Sequence, residues 1–120
     1  MFLCKKHYDG FDDWDGVMNS FEVPLLERIP EPDQVFADYT FEGYEGSATV
    51  IWKNPMEDFY TVHGGHCSCY GLENQWEPET TTREALVHIY TAQASQPRSS
   101  WNYETIDRAK LILEWLSHVQ

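Results

Sequence analysis

The sequence predicts an α+β domain: a three- to four-stranded antiparallel sheet over about residues 35–70, with two C-terminal helices packed on one face. Three observations predict it. Strand-period alternation begins at Val35, two further runs rich in β-formers follow with turn residues between them, and capped helical patterns fill the chain after residue 80. The 120 residues support one core and are too few for two, so residues 1–120 are expected to form a single domain. With 42% hydrophobic and 15% aromatic residues, a packed core is within reach.

Residues 1–34 predict an irregular N-terminal arm. Trp14, Val17, Met18 and Phe21 have the spacing of a short helix, after which Pro24, Pro30 and Pro32 interrupt the chain. Leu25, Leu26 and Ile29 allow one more apolar turn between the prolines. From Val35, the residues Val35, Ala37, Tyr39 and Phe41 alternate with Phe36, Asp38, Thr40 and Glu42. Gly43 and Gly46 suit a turn, and Thr49-Val50-Ile51-Trp52 is rich in β-formers. Asn54–Asp58 predicts a second turn and Phe59–His63 a third strand, giving an antiparallel meander. Gly64-Gly65 predicts a bulge with at least one residue at positive φ. Cys67–Tyr70 can continue extended, and Leu72–Glu79 is expected to be a loop.

Thr81 followed by Glu84 has the pattern of a capping box, opening a helix over 81–91 with Ala85, Leu86, Ile89 and Tyr90 at helical spacing. After a polar linker containing Pro97, Ser100 or Asn102 is suited to cap a last helix over 102–118. Val50, Trp52, Leu86, Ile112 and Leu116 are expected to share one core.

The balance of 20 acidic against 8 basic residues gives a net charge of −12. Such a chain lacks the cations that neutralise phosphate or anionic lipid, so neither direct nucleic-acid binding nor a membrane surface is expected. A basic groove on another protein suits it better, although the same charge serves solubility alone. Met1–Cys4 meets Lys5-Lys6 before any apolar run develops, unlike a secretory leader, and the three cysteines are an odd number. A reduced, cytoplasmic setting with free thiols or a metal, rather than a disulfide framework, is therefore expected.

Chemistry-bearing residues crowd into His63–Glu73, where His63, His66, Cys67 and Cys69 supply four ligands of the types zinc prefers. Zinc is a possible cofactor on that count, while the spacing departs from the knuckles that usually hold it. Cys4, His7 or His88 are further candidate ligands. The thiols serve equally well as small core groups, and the histidines as loop hydrogen-bonders. A thiolate–imidazole pair would suit nucleophilic catalysis. Neighbours on a strand point to opposite faces, however, so His66 and Cys67 make a poor dyad. No phosphate loop, dinucleotide fingerprint or H-E-x-x-H motif occurs.

The first 45 residues carry a second constellation. Phe11, Trp14, Tyr39 and Tyr44 lie among Asp12, Asp13, Asp15, Glu42 and Glu45, the composition of an interface with aromatic anchors and an acidic rim. Trp76, in a polar loop, is suited to stack on a ligand or to plug the edge of the core.

Gly46-Ser47-Ala48, then Gly65-His66-Cys67-Ser68-Cys69-Tyr70-Gly71-Leu72-Glu73, then Gln75-Trp76-Glu77-Pro78-Glu79 and the threonines before Ala85-Leu86, resemble a family of small bacteriophage and prophage proteins. The resemblance spans roughly residues 35–87. It implies a setting and no reaction: a phage accessory protein inside a bacterium. The expectation is a non-enzymatic protein that binds a bacterial host protein, with inhibition as one consequence open to it, through Phe11–Asp15, Tyr39, Glu42, Tyr44, Glu45 and Trp76. The alternative is a zinc-binding protein or a small cysteine-dependent enzyme centred on His63, His66, Cys67 and Cys69.

Overall fold

A computed structural model describes residues 6–42, 45–53, 59–66, 71–99 and 102–119, with the side chains of 41, 42 and 45 outside that description. The element order is β1 (Lys6–Asp9), α1 (Trp14–Ser20), a 3-10 turn (Leu25–Glu27), β2 (Gln34–Glu42), β3 (Glu45–Lys53), β4 (Phe59–His66), β5 (Glu79–Thr81), α2 (Arg83–Ala94) and α3 (Tyr103–His118). The chain is α+β, but the sheet has five strands in the order β1-β2-β3-β4-β5. It is mixed: β1 runs parallel to β2, and the other pairs are antiparallel. Both additions to the expected sheet lie at its edges. The four residues of β1 carry no apolar alternation, and Glu79–Thr81, expected to lead into a helix, pair with Phe59–Thr61 instead. That pairing holds Thr81 extended and moves the helix cap to Thr82, whose side chain accepts from the Ala85 N–H at 3.1 Å.

Helices cover both faces of the sheet. On one face, Val35, Ala37, Val50, Trp52 and Val62 pack against Trp14, Val17, Met18 and Phe21 of the arm and against Leu72. On the other, Phe36, Ile51 and Phe59 pack against Leu86, Tyr90, Ile112, Trp115 and Leu116 of α2 and α3. The expected single core is thus two: Val50 and Trp52 lie on one side of the sheet, and Leu86, Ile112 and Leu116 on the other. Strand alternation causes the split, since Ile51 points opposite to Val50 and Trp52. The arm, expected to be irregular, supplies the third layer. Arg83 locks α2 to α3 by donating to the carbonyls of Leu116 and, at 2.8 Å, Val119. This satisfies acceptors that the end of α3 leaves open.

Gly64 and Gly65 form no bulge. They pair in regular register with Ala48 and Ser47, and among the described glycines only Gly10 has positive φ. Gly64 is required for space instead: a Cβ there would stand 2.9 Å from Phe21 and 3.0 Å from Leu72. At Gly65 the nearest such contact is 3.6 Å. Gly64→Ala should therefore destabilise by about 1–3 kcal/mol through overpacking. Gly65→Ala should stay within about 1 kcal/mol of wild type, because alanine is the better strand residue. Urea unfolding of the two variants checks this, and equal losses would refute it.

Candidate functional site

Two polar assemblies and one exposed apolar turn stand out from the packing. The first assembly follows from register. Asp38 and Thr40 of β2 face α3, opposite Thr49 and Ser47 of β3. Arg108 of α3 reaches down among them. Its Nε donates to Asp38 Oδ1 at 2.9 Å, and its two terminal nitrogens donate to Thr40 Oγ1 at 2.9 Å, Ser47 O at 2.9 Å, Ser47 Oγ at 3.1 Å and Thr49 Oγ1 at 3.2 Å. Asp38 is 3% exposed, and burial pushes its carboxyl above the ordinary aspartate range against the opposing pull of Arg108. The guanidinium fork is occupied on all sides, so this assembly pins α3 to the sheet and is not a vacant anion site.

The second assembly adjoins the first. Parallel pairing sets Asp9 beside Asp38 and His7 beside Phe36. A ring nitrogen of His7 and carboxylate oxygens of Asp9 and Asp38 all lie within 4.8 Å of one another. The His7 ring stacks on Phe36 at 4.5 Å and 8°, and its Nε2 is buried with no hydrogen-bond partner.

Of the residues expected to form a zinc site, the two described histidines are not brought together. In β4, His63 shares a face with Phe59, on the side of α2 and α3. His66 shares the opposite face with Val62, where Tyr39 Oη lies 2.8 Å from its Nδ1. With the sheet between them, the two imidazoles cannot hold one ion. Cys67 and Cys69 lie outside the described residues.

Among the expected aromatic anchors, Phe11, Trp14 and Trp76 fall elsewhere. Phe11 and Trp14 are core residues, 6% and 4% exposed, which corrects their assignment to a binding surface. Their helical and flanking positions direct them onto the sheet, where Trp14 meets Trp52 edge-on at 5.6 Å. Trp76 plugs the same cluster, stacked on Trp52 at 5.4 Å. Tyr39 is half-buried against Phe11, and Tyr44 lies outside the described residues. Asp12, Asp13 and Asp15 are exposed, and Asp13 caps α1 by accepting from the Gly16 N–H at 2.8 Å. Glu42 and Glu45 are backbone partners at the end of the β2–β3 pairing.

The exposed apolar residues of the arm are different ones. Leu25 is 83% and Leu26 100% exposed, on the 3-10 turn and between the acids Glu22 and Glu27. This turn is tied down on several sides. Arg28 donates to Val23 O and Asn19 Oδ1, both at 2.9 Å, and Trp14 Nε1 donates to Ile29 O at 2.8 Å. Glu31 accepts from Lys6 at 2.8 Å and Tyr8 at 2.7 Å, which holds its carboxyl below the ordinary glutamate range. A cleft beside the turn is lined by Ile29, Pro30, Pro32, Trp52 and Lys53, among others. The sequence showed the Leu25, Leu26 and Ile29 spacing, but not that the first two face solvent.

No protein-family model, curated protein or solved structure matches the chain. Among the described residues, no helix is long and apolar enough to cross a membrane.

Proposed function

We propose that this protein is an acidic, phage-type accessory protein that binds a bacterial host protein and inhibits it by occupying a basic groove. The observation that carries this is the pinned Leu25–Leu26 turn. Two large apolar side chains stand in water on a segment held by hydrogen bonds from Trp14 and Arg28. Exposed leucines gain from contact with an apolar surface, and a turn already ordered loses little entropy on docking. The net charge of −12 favours a partner with a basic rim and raises the encounter rate at low salt. The leucines take the anchoring role that composition suggested for Phe11 and Trp14.

The test is capture of the partner from bacterial lysate, followed by binding kinetics of wild type, Leu25→Asp and Leu26→Asp at low and high ionic strength. Each substitution should weaken binding about tenfold or more, as for anchor residues. The wild-type on-rate should fall with added salt. Neither leucine supports the core, so both variants should unfold like wild type. Undiminished affinity in both would overturn the proposal.

A further inference from the structure

We propose that His7, Asp9 and Asp38 form a binding site for a divalent first-row transition ion, zinc or manganese, that clips the edge strand β1 to β2. One imidazole nitrogen with two carboxylate oxygens is a donor set that both ions accept. The geometry is close to assembled, with the three ligand atoms within 4.8 Å of one another. Ligands sharing a tetrahedral ion sit about 3–3.5 Å apart, so small side-chain rotations suffice.

Each ligand is held by something else. His7 is fixed by its stacking on Phe36. Asp38 is anchored through Oδ1 by Arg108, as outer partners usually orient a ligating carboxylate. Asp9 is exposed, which leaves the ion open to water for its remaining positions. The ordinary fate of a histidine among carboxylates is a hydrogen bond from each ring nitrogen, yet Nε2 of His7 is buried without one. Two carboxylates drawn together also repel, and Arg108 hydrogen-bonds only Asp38 of the pair. A divalent ion offsets that repulsion, and bound through Nε2 it gives that nitrogen a partner as well.

Because Asp9 and Asp38 stand at the two ends of the segment that carries α1 and the leucine turn, the ion closes that segment into a loop at its base. Loop closure of this kind stabilises the folded state.

The experiment is calorimetric titration of full-length, chelator-treated protein with zinc chloride and, separately, manganese chloride, with thermal unfolding in parallel. Wild type should bind one ion of at least one kind per chain, with an unfolding temperature that rises with ion concentration. His7→Gln and Asp9→Asn should each weaken binding about tenfold or more. A Cys67→Ser/Cys69→Ser variant should bind as wild type does. His7 and Asp9 lie outside the Arg108 hydrogen bonds, so their variants should fold. The NMR signals of the His7 ring, followed in wild type during addition of the ion that binds, give a readout independent of any variant and should shift with zinc or broaden with manganese. Failure of both ions to bind overturns the assignment. So does binding that survives both His7→Gln and Asp9→Asn, binding lost with the cysteines, or a His7 ring left unchanged by the ion that binds.

Discussion

Arg108→Ala should destabilise the fold by about 3–5 kcal/mol, because it leaves a buried carboxylate without its counter-charge. In the ion pair, the Arg108 side chain is 13% exposed and that of Asp38 only 4%, so solvent does little to screen the loss. The same substitution strips hydrogen bonds from Thr40, Ser47 and Thr49. Urea unfolding at neutral pH measures the loss. The pH dependence separates charge from packing. Burial already raises the Asp38 carboxyl, and removing Arg108 raises it further. A carboxyl whose folded pKa lies above its unfolded value of about 3.9 binds more protons when folded. Its neutral form is cheaper to bury, so its contribution is most favourable below the unfolded pKa and is lost as pH rises through the folded one. The deficit of Arg108→Ala should therefore shrink as pH falls below neutrality. Adding Asp38→Asn should recover part of the stability at pH 7. A deficit unchanged with pH and unrelieved by the second substitution would show that packing alone is at stake.

Trp14→Ala should cost a similar amount, about 3–5 kcal/mol, typical for removing a large buried aromatic. Trp14 is 4% exposed and packs edge-on against both Trp52 and Trp76. Its indole N–H holds Ile29 O, so the variant also loosens the turn that presents Leu25 and Leu26. Trp14→Phe keeps most of the ring contact and loses the hydrogen bond, so its cost should lie closer to about 1–2 kcal/mol. Chemical denaturation of the two variants, with intrinsic tryptophan fluorescence as the readout, checks this. Full stability in Trp14→Ala, with partner binding lost, would restore Trp14 as a surface anchor.

Much of the fold was legible in local pattern. Strands β2, β3 and β4 and helices α2 and α3 announce themselves by period, and the spacing of Trp14, Val17, Met18 and Phe21 is realised in α1. The second apolar face is written in the sequence too: Val35-Phe36-Ala37 and Val50-Ile51-Trp52 are continuous apolar runs, the mark of strands covered on two sides. Strand β1 was not legible, since Lys6–Asp9 carries no such run and its partner lies almost thirty residues away. The Arg108 assembly was hidden for the same reason. One arginine in an amphipathic helix says nothing of the five acceptor contacts it makes on two distant strands. Proximity in sequence does not bring His63 and His66 together, because a separation of three on a strand sends side chains to opposite faces.

The edges of the sheet bear on how copies of this protein meet at high concentration. An open strand edge invites pairing with another chain, and that is a common route to aggregation. Here the nine-residue strands β2 and β3 are interior, while among the described residues the outermost strands span four and three. Where β5 stops short, the Gln75 side chain stands in for a missing strand. Its amide accepts from Gly65 N at 2.8 Å and donates to Gly65 O at 2.7 Å, using the donor and acceptor an incoming chain would need. A single glutamine thus guards that stretch of backbone against fibril-like stacking, a role its place in a polar loop gives no hint of.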